Sequence, residues 1–161
     1  MSVKIRNLHR LKKKDINKII YHIKDDFSIE GFDDSQIVET GLFDDVEIIF
    51  IDGTPCFMVL NDAIFFNVHG ILKFKPRDKF VVVDMGAVKF VTSGADVMAP
   101  GIIDADENIK VDDQVWICDE RHRKPLAVGI SLMSGVDMVK EKKGKSVEII
   151  HYVGDKYWNI I

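Results

Sequence analysis

The chain has 161 residues, of which 47% are hydrophobic, and a net charge of −4 at pH 7. That length suits one domain or two small ones, and the apolar content is enough for a globular core. No run of about 18 apolar residues is present, which excludes a membrane-spanning helix, and the basic N-terminus lacks the apolar stretch of a secretory signal, so we expect a cytoplasmic protein.

The first half of the chain predicts one helix followed by antiparallel strands. VKIRNL (residues 3–8) alternates and favours an edge strand. Isoleucines recur at i, i+3, i+4 and i+7 from Ile16 to Ile23, which predicts an amphipathic helix from about Lys12 to Asp26. Four runs rich in β-branched and aromatic residues follow, separated by turns such as Asp52-Gly53: QIVETGLF, VEIIFID, PCFMVL and AIFFNV. This order predicts an α+β layer of about 75 residues.

The segment FKPRDK (residues 74–79) is the best candidate for a linker. It is polar and basic, and it contains Pro76. We therefore expect one domain over residues 1–75 and a second over residues 76–161, packed together because the linker is short.

The second half predicts short strands and two short helices. Strands are expected at KFVVVD, VMAPGII, DDQVWICDE, KPLAVGISLM, SVEIIHYV and KYWNII. One helix is expected over residues 86–94, ending at a glycine, and another from a Ser134 cap to Gly144. This pattern is typical of a small closed or partly closed β-barrel.

The stretch VDMGAVKFVTSGADVMAPGI (residues 83–102) is rich in glycine but carries no catalytic set. Its glycines are eight and seven residues apart, a spacing that excludes the GxGxxG and P-loop nucleotide motifs. Ser93 has neither a nearby histidine nor the GxSxG signature of a nucleophile. Asp84 and Asp96 are expected to cap or to end structural elements rather than to act as an acid–base pair.

Metal and redox chemistry also find no support. No two histidines have the i, i+4 spacing of a helical metal site, and no CxxC motif occurs. Cys56 and Cys118 each lie in an apolar run, as expected of reduced thiols in a core. We therefore predict no metal, no cofactor and no catalytic residue, with a small enzyme in the first domain as a minor alternative.

Charge is strongly segregated along the chain. Residues 1–14 carry six Lys or Arg and no acid, whereas residues 25–62 carry eleven Asp or Glu and no Lys or Arg. Basic groups return at Lys73–Lys79, Arg121–Lys124 and Lys140–Lys145. Such patches bind nucleic acid only if they meet on one face, and a solvated surface of mixed sign is the alternative.

The glycine-rich stretch resembles the signature of the PUA domain, the RNA-binding module named for pseudouridine synthases and archaeosine transglycosylases. That signature has a strand ending in Val-Asp, a Gly-Ala pair, a short apolar helix, a second Gly-Ala pair and a Pro-Gly-Ile turn. The matching residues are Val83-Asp84, Gly86-Ala87, Phe90-Val91, Gly94-Ala95 and Pro100-Gly101-Ile102.

Two later segments extend the resemblance. LAVGISLMS (residues 126–134) resembles the next strand-to-helix segment of that domain. The tail IHYVGDKYWNI (residues 150–160) resembles the ending of the malignant T-cell amplified sequence family, in which a smaller pre-PUA domain precedes the PUA domain.

The resemblance implies both a fold and a function. The fold is α+β, with an N-terminal helix packed on an antiparallel sheet, followed by a PUA pseudo-β-barrel. The function is that of a non-enzymatic protein of the translation apparatus, which binds tRNA or rRNA and acts with the small ribosomal subunit in initiation or recycling. An RNA-binding accessory subunit of an RNA-modifying enzyme is the alternative. The acidic segment 25–62 would then dock a basic protein partner or stay away from RNA.

Candidate RNA contacts follow from the glycines and the lysines. We expect Gly94 and Gly101 to lie beside RNA, where the lack of a Cβ permits close approach, and Gly86 to serve packing. Amides near Gly94, Ala95 and Gly101 are expected to donate to RNA phosphates, with lysines supplying charge. Tyr152 either stacks on a base or belongs to the core. The full expected set is Lys89, Thr92, Ser93, Gly94, Ala95, Met98, Pro100, Gly101, Lys140, Lys142, Lys143, Lys145 and Tyr152.

Overall fold

The computed structural model describes residues 4–160, which divide into two compact units. Unit 1 takes the described residues through Arg77 together with Asn159 and Ile160, and unit 2 takes Asp78–Trp158. Val3 and Ile161, which belong to the expected first and last strands, lie outside the described residues.

Unit 1 combines two helices with a five-stranded sheet. Its elements are β1 (Arg6–Arg10), α1 (Lys13–Asp26), β2 (Val38–Phe43), β3 (Val46–Ile51), β4 (Thr54–Leu60), β5 (Ala63–Phe66) and α2 (Val68–Phe74). The strands lie side by side in chain order, each antiparallel to the next. The expected helix and antiparallel meander are therefore confirmed.

Helix α1 forms because its apolar side chains fall on one face. Ile16, Ile19 and Ile23 are buried, while the lysines of the helix are exposed. Each buried isoleucine contributes about 1.5–3 kcal/mol relative to an exposed one. Beyond the helix, Phe27 packs edge-on against Phe66 of β5 with 4.9 Å between ring centroids, which extends the same core.

Helix α2 was not expected. It includes Val68, the last residue of the expected strand AIFFNV, and Phe74, the first residue of the expected linker. Asn67 follows β5 and caps the helix, because its side-chain oxygen accepts from the backbone N of Gly70 at 2.8 Å. A Cβ at Gly70 would collide with the carbonyl oxygen of Cys56, so only glycine permits this close packing on β4. The helix ends at Phe74. Lys75 follows as its C-cap in the left-handed conformation, with a φ of 48°, and Pro76 comes next.

Unit 2 is a barrel-like sheet with two short helices. Its elements are β6 (Phe80–Val83), α3 (Met85–Val91), β7 (Val97–Met98), β8 (Ile102–Ala105), β9 (Gln114–Asp119), β10 (Pro125–Ser131), α4 (Gly135–Lys140) and β11 (Lys145–Tyr152). The strand order is β7-β11-β10-β9-β6-β8, with β6 and β9 parallel and the other neighbours antiparallel.

The two edge strands of this sheet are consecutive in the chain. A single 3₁₀ turn, Ala99–Gly101, joins β7 at one edge to β8 at the other. The sheet is therefore nearly closed, which confirms the expected pseudo-β-barrel and the interruption of VMAPGII by a proline turn. The expected last strand, KYWNII, is wrong because Trp158–Ile160 form a 3₁₀ helix.

Both cysteines are free thiols in the cores of their units. Burial raises the pKa of Cys56 to about 12 and that of Cys118 to about 11. At neutral pH both thiols are therefore protonated and unreactive, which confirms their expected role as core residues.

Candidate nucleic-acid interface

A pocket of about 470 Å³ opens on unit 2 between α3 and the segment that closes the barrel. Its lining is mostly apolar and comprises Asp84, Gly86, Ala87, Phe90, Val91, Ala95, Asp96, Val97, Met98, Pro100 and Gly101. All of these residues belong to the stretch 83–102, so the glycine-rich segment forms the whole wall of the pocket.

Two large apolar side chains at this pocket face solvent. Phe90 is 57% exposed and Met98 is 48% exposed. Burying such groups is favourable, so a ligand that covered both side chains would gain free energy from the contact. The volume lies within the usual range of ligand pockets, roughly 300–1,000 Å³, and an aromatic wall suits a flat ring such as a nucleobase.

The two carboxylates of the pocket have structural partners. Asp84 caps α3 by accepting from the backbone N of Ala87 at 2.8 Å. Asp96 accepts from the backbone N of Ile149 at 2.9 Å and pairs with Lys145 at 3.1 Å. Burial works against the charge on Asp96, but the Ile149 hydrogen bond and Lys145 outweigh it and lower the pKa of Asp96. The predicted structural roles of both acids are confirmed.

Strand pairing brings the lysine run 140–145 beside the pocket. Lys145 of β11 lies opposite Met98 of β7. The backbone N of Ala99 donates to the carbonyl of Gly144 at 2.9 Å, which fixes the end of the run against the pocket wall. Two segments about 40 residues apart in the sequence therefore meet on one surface.

The lysines of this run differ in their partners. The ammonium of Lys142 donates to the carbonyl of Ile102 at 2.8 Å, and Lys145 pairs with Asp96. Lys140 and Lys143 are exposed and make no ion pair within residues 4–160. These two side chains are the ones free to neutralise a ligand phosphate.

The three glycines differ in how closely they are packed. Gly94 has a φ of 90°, and a Cβ there would lie 2.8 Å from the ring of Tyr152. A Cβ at Gly101 would lie 3.2 Å from that of Ala87, and one at Gly86, which is exposed, would lie 3.3 Å from Oδ1 of Asp84. That Gly94 and Gly101 lie beside RNA and that Gly86 serves packing stays a prediction.

The expected amide donors at positions 94 and 95 are already used. The backbone N of Gly94 donates to Val91 and that of Ala95 to Phe90, both at 3.0 Å, in the turn that ends α3. The expectation that these amides donate to RNA phosphates is therefore wrong. A helix must satisfy its last carbonyls, and this turn does so with those two groups.

The hydroxyl groups of the same turn point back into α3. Thr92 donates to the carbonyl of Val88 at 2.9 Å and Ser93 to that of Lys89 at 2.7 Å. Their oxygens keep free lone pairs, so they serve a ligand only as acceptors. The ammonium of Lys89 is exposed and lies 5.2 Å from the centroid of the Phe90 ring, which places a cation at the aromatic wall.

Tyr152 packs beside the turn that ends α3, and an acid that the sequence reasoning missed holds its backbone. It packs on the core of unit 2 and against Gly94. Asp155 accepts from the backbone N of Tyr152 at 3.0 Å and of Trp158 at 2.9 Å, and its carboxylate lies 2.8 Å from the buried His151. Burial opposes the charge on Asp155, but the contact with His151 and the two amides lower its pKa.

No metal site accompanies the pocket. Within residues 4–160, no three His, Cys, Asp or Glu side chains are grouped so as to hold a metal ion. The helices of that part of the chain are also too short or too polar to cross a bilayer.

Replacing Gly94 with alanine is expected to lower the free energy of unfolding by about 2 kcal/mol, since the backbone strain adds to a clash with Tyr152. Gly154 provides the matched control: its φ is 101°, and a Cβ there meets nothing within 4 Å. Its alanine variant should lose only about 1 kcal/mol. Urea unfolding of both variants measures the difference, and equal losses would exclude a packing role for Gly94.

Two family models match this chain. The PUA domain matches residues 79–153, and a domain of unknown function, DUF1947, matches residues 7–74. The two matches cover units 2 and 1 respectively, and the pocket lies in the PUA match.

Three relatives match this chain over more than two thirds of its length. An uncharacterized protein of Methanocaldococcus jannaschii is 45% identical over 161 residues, which span 98% of each chain. Translation machinery-associated protein 20 of Saccharomyces cerevisiae is 34% identical over 78% of this chain and 72% of its own. Malignant T-cell-amplified sequence 1 of Rattus norvegicus is 34% identical over 71% of this chain and 65% of its own.

A solved structure resembles this chain over most of its length. A hypothetical protein from Pyrococcus horikoshii is 39% identical and superimposes with a TM-score of 0.84, over 95% of this chain and 98% of that one. The chain, which joins a DUF1947 region to a PUA domain, therefore belongs to the family of translation machinery-associated protein 20 and the malignant T-cell-amplified sequence proteins.

Proposed function

We propose that this chain is a non-enzymatic RNA-binding protein of the translation apparatus, which binds tRNA or rRNA through unit 2 and acts in the cytoplasm with the small ribosomal subunit. The observation that carries the proposal is the apolar pocket with the lysine run paired against its wall through Gly144 and Lys145. An apolar wall takes a base, and unpaired ammonium groups take phosphates.

The pocket suits an unpaired nucleotide better than a duplex. A base stacked in a helix cannot enter a pocket, whereas an unstacked base in a loop or at an end can rest on Phe90. Stacking of this kind is worth about 1–3 kcal/mol per base and tolerates any base. Lys89 adds a cation at the ring, and the lysine run contacts the phosphates next to the stacked base.

The placement in translation rests on family membership. Two of the relatives are named as translation machinery-associated proteins of yeasts. The RNAs that such a protein meets most often are tRNA and rRNA, both of which present unpaired loops and ends. We further propose that the acidic segment 25–62 of unit 1 docks a basic protein partner, because it contains no Lys or Arg.

Crosslinking in extract of the organism's own cells tests the proposed function. The tagged chain is irradiated in extract, purified under denaturing conditions, and the attached RNA is sequenced. We expect tRNA or small-subunit rRNA to be enriched over total RNA. Enrichment of a guide RNA together with a modification enzyme would instead support the accessory-subunit alternative, and no enriched RNA would contradict the proposal.

A further inference from the structure

A second pocket, of about 380 Å³, lies on unit 1 where β1 pairs with β2. Its lining residues are Asn7, His9, Leu11, Thr40, Gly41, Leu42 and Glu47. The volume lies within the usual range of ligand pockets, roughly 300–1,000 Å³. The wall carries a carboxylate, an amide, an imidazole and a hydroxyl group, which suits a ligand with hydrogen-bonding edges. We call this site the unit 1 pocket.

Strand β1 is irregular beside the unit 1 pocket. Its pairing with β2 shifts register between Arg6 and His9, and Asn7 in that interval has a φ of 55°. A bulge of this kind changes the direction of a side chain, and bulges are frequent beside binding sites. A Cβ at Gly41 would collide with Ile5 and lie 3.2 Å from the carbonyl oxygen of Arg6. Close packing on β2 therefore fixes the irregular backbone.

The carboxylate of Glu47 is the acceptor group of this pocket. It is partly buried, and its Oε2 accepts from the hydroxyl of Thr40 at 2.7 Å. Thr40 is itself buried, so this contact orients the carboxylate from the core side. Within residues 4–160, Glu47 forms no ion pair. A carboxylate has roughly four lone-pair sites, so most of them remain for a ligand.

Two donors side by side on one planar edge match such a carboxylate. Guanine is the RNA base that presents them, because its N1–H and its N2 amino group are neighbours on the Watson–Crick edge. Adenine, cytosine and uracil each place an acceptor beside the donor on that edge, and this acceptor would face a carboxylate oxygen. Proteins read unpaired RNA bases through the same edge and stack them on flat side chains that include histidine.

His9 supplies a flat ring at the unit 1 pocket. Its Nδ1 lies 2.8 Å from the carbonyl oxygen of Asn7. A carbonyl only accepts, so Nδ1 carries the proton and donates, which holds the ring to its own strand. The side chain is exposed, and one face of a base can therefore rest on it.

We propose that the unit 1 pocket binds an unpaired guanine of the RNA, with the Watson–Crick edge of the base on Glu47 and its face on His9. The inference rests on the proposed function, to which it adds a base-specific contact on unit 1.

An arginine of a protein partner also presents two parallel donors to a carboxylate. Glu47 belongs to the acidic segment 25–62, but β1 and the residues after it bring cations to this part of the unit. Arg10 and Lys12 are exposed and form no ion pair within residues 4–160. Cations repel an arginine and attract the phosphates that flank each base of an RNA strand. The charge near the unit 1 pocket thus favours RNA.

Replacing guanine with inosine tests the contact, because inosine lacks only the N2 amino group. A short labelled single-stranded RNA that contains guanine is compared, by anisotropy, with the same RNA in which inosine replaces every guanine. One hydrogen bond to a carboxylate is lost, so the wild type should bind the inosine RNA about tenfold more weakly. Equal affinities would overturn this inference and leave the proposed function in place. Failure of the wild type to bind either RNA would contradict the proposed function itself.

Glu47→Gln assigns the preference to the unit 1 pocket. The amide keeps an oxygen for Thr40, but its NH₂ group would face a donor of guanine, so the preference over inosine should fall to within about twofold. Glu39→Gln is the matched control, because Glu39 lies on β2 outside the lining residues and the charge changes equally. The control should keep the wild-type preference. A preference that survives in Glu47→Gln, or that disappears in both variants, would overturn the inference.

A labelled arginine-rich peptide tests the protein alternative with the same two variants. We expect Glu47→Gln and Glu39→Gln to change its affinity equally, as a general charge effect would. Loss of peptide binding in Glu47→Gln alone, together with equal wild-type affinities for the guanine and inosine RNAs, would assign the pocket to a protein partner and overturn the inference.

Discussion

Replacing Asp155 with alanine is expected to lower the free energy of unfolding of unit 2 by about 3 kcal/mol. The carboxylate is 10% exposed and accepts from the amides of Tyr152 and Trp158 while facing His151, which is fully buried. Removal of the carboxylate takes these hydrogen bonds away in a part-buried site. Because Tyr152 packs against Gly94, the residue before Ala95 of the pocket wall, RNA affinity should fall with stability.

The pKa shift of Asp155 predicts how its contribution to stability changes with pH. The pKa of Asp155 is lower in the folded protein than in the unfolded chain, despite burial, because of His151 and the amides. Its contribution is therefore full above the unfolded pKa, about 3.9, and disappears as the pH falls through the folded pKa. The difference between wild type and Asp155→Ala should shrink below about pH 4.

Asp155→Asn serves as the control for the charge. Its side-chain oxygen can still accept from a backbone amide, so we expect a loss smaller than that of the alanine variant. Urea unfolding at pH 7 and across the acid range measures both effects. One ordinary hydrogen bond contributes about 1 kcal/mol. If the alanine variant lost less than that in free energy of unfolding at pH 7, Asp155 would be excluded as the residue that holds the C-terminal turn.

The second large effect is expected from Lys140→Glu/Lys143→Glu. Loss of two phosphate contacts lowers the affinity for single-stranded RNA at 0.1 M salt by about 25-fold, and repulsion from the new carboxylates adds to that loss. The choice of these two lysines follows from the structure, since Lys142 and Lys145 also bind Ile102 and Asp96. Changes at those two positions would disturb the pocket wall as well as the charge.

The matched control for the lysine variant is Lys14→Glu/Lys18→Glu on α1, which changes the net charge equally. Salt titrations of both variants separate a local contact from a general charge effect. We expect a shallower salt slope only for the Lys140/Lys143 variant, with an unchanged unfolding midpoint. An unchanged slope would remove these lysines from the interface.

The fold was predictable where periodicity and local motifs decide it. The isoleucine spacing of α1 and the turn-separated strands of unit 1 follow from residues close in sequence. Helix α2 was not predictable in this way, because AIFFNV reads as a strand up to its end. Its cap, Asn67 with Gly70, depends on how tightly that glycine packs on β4.

The segment that forms the pocket wall was predictable because it is continuous in the sequence. The residues that contact this wall from elsewhere in the chain were not predictable. The Gly-Ala pairs and the Pro-Gly turn mark residues 83–102 in the sequence. The contact of Glu120 with Met85 spans 35 residues, and no pattern joins them. The contact that restricts position 94 comes from Tyr152, which only the folded barrel brings there.

The central claim is that RNA occupies the pocket between α3 and β7, and residue-level photocrosslinking tests it most directly. Single-stranded RNA containing 4-thiouridine is crosslinked to the wild-type chain, and the modified residues are identified by mass spectrometry. We predict crosslinks at Phe90 and Met98, the exposed apolar side chains of the pocket. Crosslinks confined to α1 of unit 1, with none in residues 83–102, would contradict the account.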